Sequence, residues 1–106
     1  MTRAAALFAL LALLVAAAAR AEDHVVSQKD ARFAPAELAV RVGDRVVFRN
    51  DDDITHNVFS RSEAGPFNVK LQPPGSESPV AFERPGVVDV RCAIHPKMKM
   101  RVVVGE

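Results

Sequence analysis

Apolar and polar positions alternate along most of this chain, in short runs separated by turn residues. Leu38, Val40 and Val42 alternate with Glu37, Ala39 and Arg41, and Val46 and Phe48 alternate with Arg45, Val47 and Arg49. Period two is the signature of half-buried strands, because successive side chains point to opposite faces. Gly43-Asp44 between these runs reads as a two-residue hairpin turn. Pro74-Gly75 and Pro85-Gly86 suit type II turns, since proline presets the first central residue and glycine accepts positive φ at the second. The pattern predicts strands over 25–29, 38–42, 46–49, 56–59, 67–71, 79–82, 87–92 and 100–104, and no helix among them. Eight short strands at regular turn spacing predict an all-β sandwich or Greek-key barrel. With no Trp or Tyr in the chain, Phe33, Phe48, Phe59, Phe67 and Phe82 are expected to be its large core fillers.

Residues 1–21 break the alternation. Thr2 and Arg3 precede an alanine- and leucine-rich run over 4–19, and Ala19-Arg20-Ala21 fits the small-x-small rule for signal cleavage. The run is shorter than the ~20 apolar residues of a spanning helix. Residues 1–21 are therefore expected to be an export signal and 22–106 one mature domain in an oxidising compartment, with no membrane span after cleavage. The 14 basic and 13 acidic residues lose Arg3 and Arg20 with the signal, leaving a slight acidic excess that excludes a general nucleic-acid or membrane-surface binder.

A domain of this size buries only about 60% of its unfolded surface or slightly more, and it needs a staple. Its single cysteine cannot form an internal disulfide, which leaves a metal as the natural substitute. The donors for one are compactly spaced. Cys92 is followed by His95 and Met98, with His56 upstream. Two imidazoles and a thiolate with a long axial thioether are the donor set of a mononuclear copper electron-transfer site, whereas structural zinc usually takes four strong donors. On the strand leading to Cys92, Val88 and Val90 share the face of the thiol, so it is delivered inward; residues 93–97 form a loop carrying His95, stiffened by Pro96. His56 comes from a neighbouring strand, which makes the metal a clamp between distant segments. Met100 has the same strand parity as Met98 and is its rival as thioether donor. His24 and the Asp51-Asp52-Asp53 turn are expected to be solvated.

Two motifs resemble the cupredoxins, the type 1 blue copper family that includes plastocyanin, pseudoazurin and amicyanin. One is His56-Asn57-Val58 after a strand and an acidic turn. The other is Cys92-Ala93-Ile94-His95-Pro96-Lys97-Met98 followed by Val102-Val103-Val104, whose spacing is similar to the short ligand loop of amicyanin; Phe33-x-Pro35 leading to Val42-Gly43-Asp44 resembles the family's opening. The resemblance implies a cupredoxin-like β-sandwich holding one type 1 copper, with His56 Nδ1, Cys92 Sγ and His95 Nδ1 equatorial and Met98, rather than Met100, axial. It implies that Asn57 hydrogen-bonds the ligand loop near Cys92. Ala93-Ile94 stands where many relatives have Thr/Ser-Pro, so an extra loop N–H is expected to be free to donate to the thiolate.

The resulting expectation is a periplasmic electron carrier, not an enzyme, that acts as a monomer and passes its electron through His95. Arg91, Lys97, Lys99 and Arg101 are expected to border that edge as a basic patch docking an acidic redox partner. Two rival readings are a copper-homeostasis protein delivering Cu(I), with Met98 and Met100 as soft donors, and a structural zinc domain using Cys92, His56 and His95.

Overall fold

A computed structural model describes residues 20–106; the expected export signal, residues 1–21, lies outside the described residues but for its last two. Nine strands follow in order: β1 (Asp23–Lys29), β2 (Arg32–Ala34), β3 (Glu37–Arg41), β4 (Arg45–Asn50), β5 (His56–Ser60), β6 (Phe67–Gln72), β7 (Glu77–Ala81), β8 (Gly86–Arg91) and β9 (Lys99–Gly105). They form two sheets, ordered β2-β1-β4-β7 and β3-β9-β8-β5-β6, packed as an all-β sandwich. Each of the eight expected strands is present within a few residues. The ninth, β2, is only three residues long and pairs with β1, too short for periodicity to register.

Alternation turns directly into burial. Val88 and Val90 on β8, Val102 and Val104 on β9 and Val40 on β3 face inward from one sheet, against Val26, Val46, Phe48 and Phe33 from the other. Phe33, Phe48, Phe67 and Phe82 form a chain of ring contacts at 5.6–6.4 Å. Phe59 does not join them. Its cross-strand partner is the exposed Arg91, so its ring lies on the outer face, with the Arg61 guanidinium 5.6 Å from its centroid; period two already sets it opposite the buried Val58, and the expectation from its size and apolarity alone does not hold.

Two expected turns differ in kind. Gly43-Asp44 does not close a hairpin, because β3 pairs in parallel with β9 in one sheet while β4 pairs in parallel with β1 in the other. The Asp44 carboxylate accepts from Arg41 N at 2.9 Å and Gly43 N donates to Phe82 O at 2.8 Å. These bonds terminate β3 and send the chain across the sandwich. Gly75 has φ 82°, as a type II turn requires, but Gly86 has φ 141° and opens β8; a Cβ there would lie 2.7 Å from Ala64 Cβ. Close approach demands that glycine.

Buried amides join the layers. Gln28 Nε2 on β1 donates to Gln72 Oε1 on β6 at 2.6 Å, and Gln72 Nε2 donates to Phe48 O at 2.6 Å. A buried polar group without partners costs free energy, so paired amides fix the alignment of the two sheets more strictly than apolar packing does.

Candidate metal centre

Four chain segments meet at one end of the sandwich: the 51–55 turn with the start of β5, the end of β6, the loop between β8 and β9, and the β1–β2 turn. Asn50, the last residue of β4, organises the first of these. It is fully buried, its Nδ2 donates to Ile54 O at 2.9 Å and Gln72 O at 2.8 Å, and its Oδ1 accepts from Asp52 N at 2.9 Å. The turn is thereby folded under the first residue of β5, His56.

His56, Cys92 and His95 bring one ring nitrogen or sulfur each to within 4.8 Å of one another. His56 and Cys92 are buried; His95 is half-buried. The two Nδ1 atoms lie 3.2 Å apart and Cys92 Sγ is 3.8 Å from His95 Nδ1. Those spans match donors sharing a single ion at about 2.0–2.3 Å from each. The chemistry of the set also fits: soft sulfur with imidazole suits copper, and no fourth strong donor for structural zinc stands in the cluster.

Outer partners prepare the donors. His56 Nε2 is 2.8 Å from Asp52 Oδ2, so a proton on Nε2 leaves Nδ1 as the free lone pair. Asp52 also accepts from Ala31 N at 2.9 Å. That backbone donor and then His56 hold the Asp52 carboxyl down at about 2, below the usual 3.8. Asp52 is therefore a structural anchor, only 8% exposed, and not part of a solvated acidic turn; Asp51 and Asp53 are exposed as expected.

Asn57 ties the two halves together in the way the family resemblance implied. Its Oδ1 accepts from Ala93 N at 3.1 Å, while its Nδ2 donates to Asn68 Oδ1 and Lys70 O at 2.9 Å each. The thiol's backbone donor is Asn57 N, at 3.4 Å from Sγ. The expected donation from the loop itself is not found: Ile94 N makes no hydrogen bond to the sulfur among the described residues.

Met98 and Met100 are both buried, at 2% and 4% exposed. Val90 faces Met100 inside the β8–β9 ladder, whose last pair is Arg91 with Lys99; Cys92 and Met98 both lie just beyond that end of the ladder. Met98 N also donates to His95 O at 2.9 Å, closing the loop.

Arg91, Lys99 and Arg101 are exposed on neighbouring strands and Lys97 is exposed on the loop. Acidic groups interrupt them: Asp89 Oδ1 is 3.8 Å from Arg101 Nε, and Glu37 is Arg101's partner on β3. His24 is not solvated at a frayed end but sits on β1, with Nε2 2.9 Å from Asp44 Oδ2.

The family model for copper binding proteins of the plastocyanin/azurin family matches residues 21–105. The chain is 34% identical over 94 residues to the methylamine utilization protein MauL of Methylorubrum extorquens, covering 88% of this chain and 81% of that protein. It is 33% identical over 107 residues to amicyanin-alpha of the same organism, covering 97% and 87% respectively. Among solved structures, the purple cupredoxin from Nitrosopumilus maritimus superposes with a TM-score of 0.70 at 26% identity, covering 78% of this chain and all of that one.

Proposed function

The chain belongs to the plastocyanin/azurin family of copper-binding proteins, and from that membership and the geometry of its site we propose that it is a periplasmic electron carrier. In this reading residues 1–21 are an export signal and 22–106 the copper domain. His56, Cys92 and His95 would hold the ion through Nδ1, Sγ and Nδ1, with Met98 Sδ as a weaker fourth donor. Bound there, copper supplies a one-electron couple between Cu(II) and Cu(I).

The observation that carries the proposal is a set of donors already assembled and braced. Asp52 fixes the His56 ring, and Asn57 pins Ala93 at one end of the ligand loop. Ligands held in this way rearrange little when charge changes, and small rearrangement is what fast electron exchange requires. His95 is the half-buried donor, with exposed Ile94 and Pro96 beside it, and provides the edge through which the electron leaves. His24, which would be needed for any further histidine-based site, is engaged by Asp44; we assign no enzymatic role.

Delivery of Cu(I) would favour accessible thioethers for handing the ion on. Met100 instead faces Val90 inside the sandwich and Met98 is equally covered, which favours retention. The test is rapid mixing of the reduced protein with a small outer-sphere oxidant, set beside incubation with an excess of a Cu(I) chelator. An electron carrier oxidises in milliseconds and keeps its copper; slow oxidation with prompt loss of copper to the chelator would support the delivery role instead.

A further inference from the structure

Asp44, in the turn between β3 and β4, holds a carboxylate that the metal centre does not use. The residue is buried, and it collects three donors: Glu22 N on Oδ1, and Arg41 N and His24 Nε2 on Oδ2, each at 2.9 Å. Glu22 is held on its other side too, its carbonyl accepting from Arg45 N at 2.9 Å. The β1–β4 ladder begins at the next residue, where Asp23 faces Arg45. Upstream the hydrogen bonds stop. Ala21 and Arg20 are exposed and make no hydrogen bond to any described residue. Among the described residues the hydrogen-bonded chain thus begins at Glu22, just after the Ala21–Glu22 peptide bond that the small-x-small rule selects independently for cleavage.

We propose that Asp44 is the receptor for the mature N-terminus, so that cleavage between Ala21 and Glu22 converts an amide hydrogen bond into an ammonium–carboxylate ion pair. The inference rests on the reading of residues 1–21 as an export signal. In the step, a signal peptidase adds water across the bond: the hydroxyl goes to the Ala21 carbonyl carbon and the hydrogen to the Glu22 nitrogen. The freed amine takes a second proton from solvent, since an α-amino group ordinarily ionises near about 7.7–8.0. A charged donor then occupies the place of a neutral one, and charge-assisted hydrogen bonds are roughly twice as strong.

The other charged groups at this end are His24 on Asp44 Oδ2, the Glu22 carboxylate, Arg20 and Arg41 around the same shallow pocket, and the exposed Asp23–Arg45 ion pair alongside. None but His24 bonds the Asp44 carboxylate through its side chain. The precursor therefore lacks an ammonium–carboxylate pair at the start of β1, and the exported, processed chain acquires it beside the Asp23–Arg45 pair already present.

The test compares chains beginning at Glu22 with a free or an acetylated α-nitrogen, each with Asp44 intact or as Asp44→Asn. Acetylation keeps the N–H donor and removes only the charge. At pH 6 the free-amine wild type should unfold several degrees above its acetylated counterpart, and Asp44→Asn should erase that gap. The gap should also close as pH rises through the amine's raised pKa, because the gain exists only while the nitrogen is protonated. No effect of acetylation, or a gap that survives in Asp44→Asn, overturns the clamp. Should Asp44→Asn fail to fold, NMR titration of the wild-type α-amine decides: ionisation above the ordinary range supports the ion pair, and ionisation within or below it refutes it. The mass of the chain recovered after export reads the processing step separately. A mass starting at Glu22 supports it, and a different start overturns the cleavage-linked role even where the stability cycle holds.

Discussion

Replacing Asp52 with alanine should damage both stability and metal binding, because one buried carboxylate serves two ends of the site. The substitution removes acceptors from His56 Nε2 and Ala31 N, at 2.8 and 2.9 Å. Hydrogen bonds to charged groups contribute about 1.5–3 kcal/mol each. His56 is 0% exposed, so its stranded N–H finds no water; Ala31 is half-buried and is partly resolvated. We therefore expect a loss of about 3 kcal/mol in the metal-free protein, the lower end of the sum of the two bonds. For a domain of 60–100 residues, about 4–8 °C of Tm per kcal/mol makes this a fall of more than about 10 °C. Copper affinity should fall about 10–100-fold as His56 loses its fixed tautomer and orientation. Asp52→Asn, which keeps one acceptor oxygen, should lose less on both counts. Chemical denaturation of the metal-free proteins and competition titration with a copper chelator measure the two effects. An Asp52→Ala variant within about 0.5 kcal/mol of wild type, the range of ordinary surface changes, and binding copper equally tightly, would refute the anchoring role.

Met98→Leu should retain copper but raise the reduction potential, because losing a sulfur donor weakens support for Cu(II) more than for Cu(I); Met100→Leu, a volume-conserving change opposite Val90, should cost under about 1.5 kcal/mol and leave the potential in place. Potentials from redox titration that respond in the opposite order would reassign the axial ligand. Asp44 is held down at about 2 from 3.8, first by Arg41 N and then by Glu22 N and His24, so its contribution is complete above the ordinary carboxylate range and is lost as pH falls through 3.8 toward 2; denaturation of the metal-free protein should show an acid limb there that Asp44→Asn flattens, and an unchanged limb would contradict the assignment. Charge reversal at Lys97 and Lys99 should slow transfer to an acidic redox partner without altering the copper spectrum, and the wild-type rate should fall with salt as screening over about 8 Å sets in; rates blind to both would place docking elsewhere.

The alternation of Val88, Val90 and Cys92, and of Val102 and Val104, was enough to read the inner faces, because a two-sheet core imposes period two on every strand that lines it. Legibility ended where a residue's role depends on a partner distant in sequence. Gly43-Asp44 has the local chemistry of a hairpin, yet β3 and β4 find better partners in opposite sheets, and nothing within the turn announces that choice. Asp52 sits between two exposed acids, and only the arrival of Ala31 N and His56 Nε2 distinguishes it from them. Met98 and Met100 share parity, so their difference rests on where the β8–β9 ladder ends. Phe59 lies outside the core although it is large and apolar; its position one residue from the inward Val58 sets its face, and residue type alone misleads there. The donors themselves were legible because residue type and spacing are local properties of the ligand loop, with only His56 supplied from afar.

The central claim is that Cys92 sulfur and two imidazoles hold one redox-active copper, and the visible spectrum of the copper-loaded protein tests it most directly. Cu(II) added to the metal-free chain should give an intense blue band from sulfur-to-copper charge transfer, saturating at one ion per chain and bleaching reversibly on reduction. Cys92→Ser should give no such band. A colourless Cu(II) form of the wild type, or a Cys92→Ser protein that is still blue, would contradict the account.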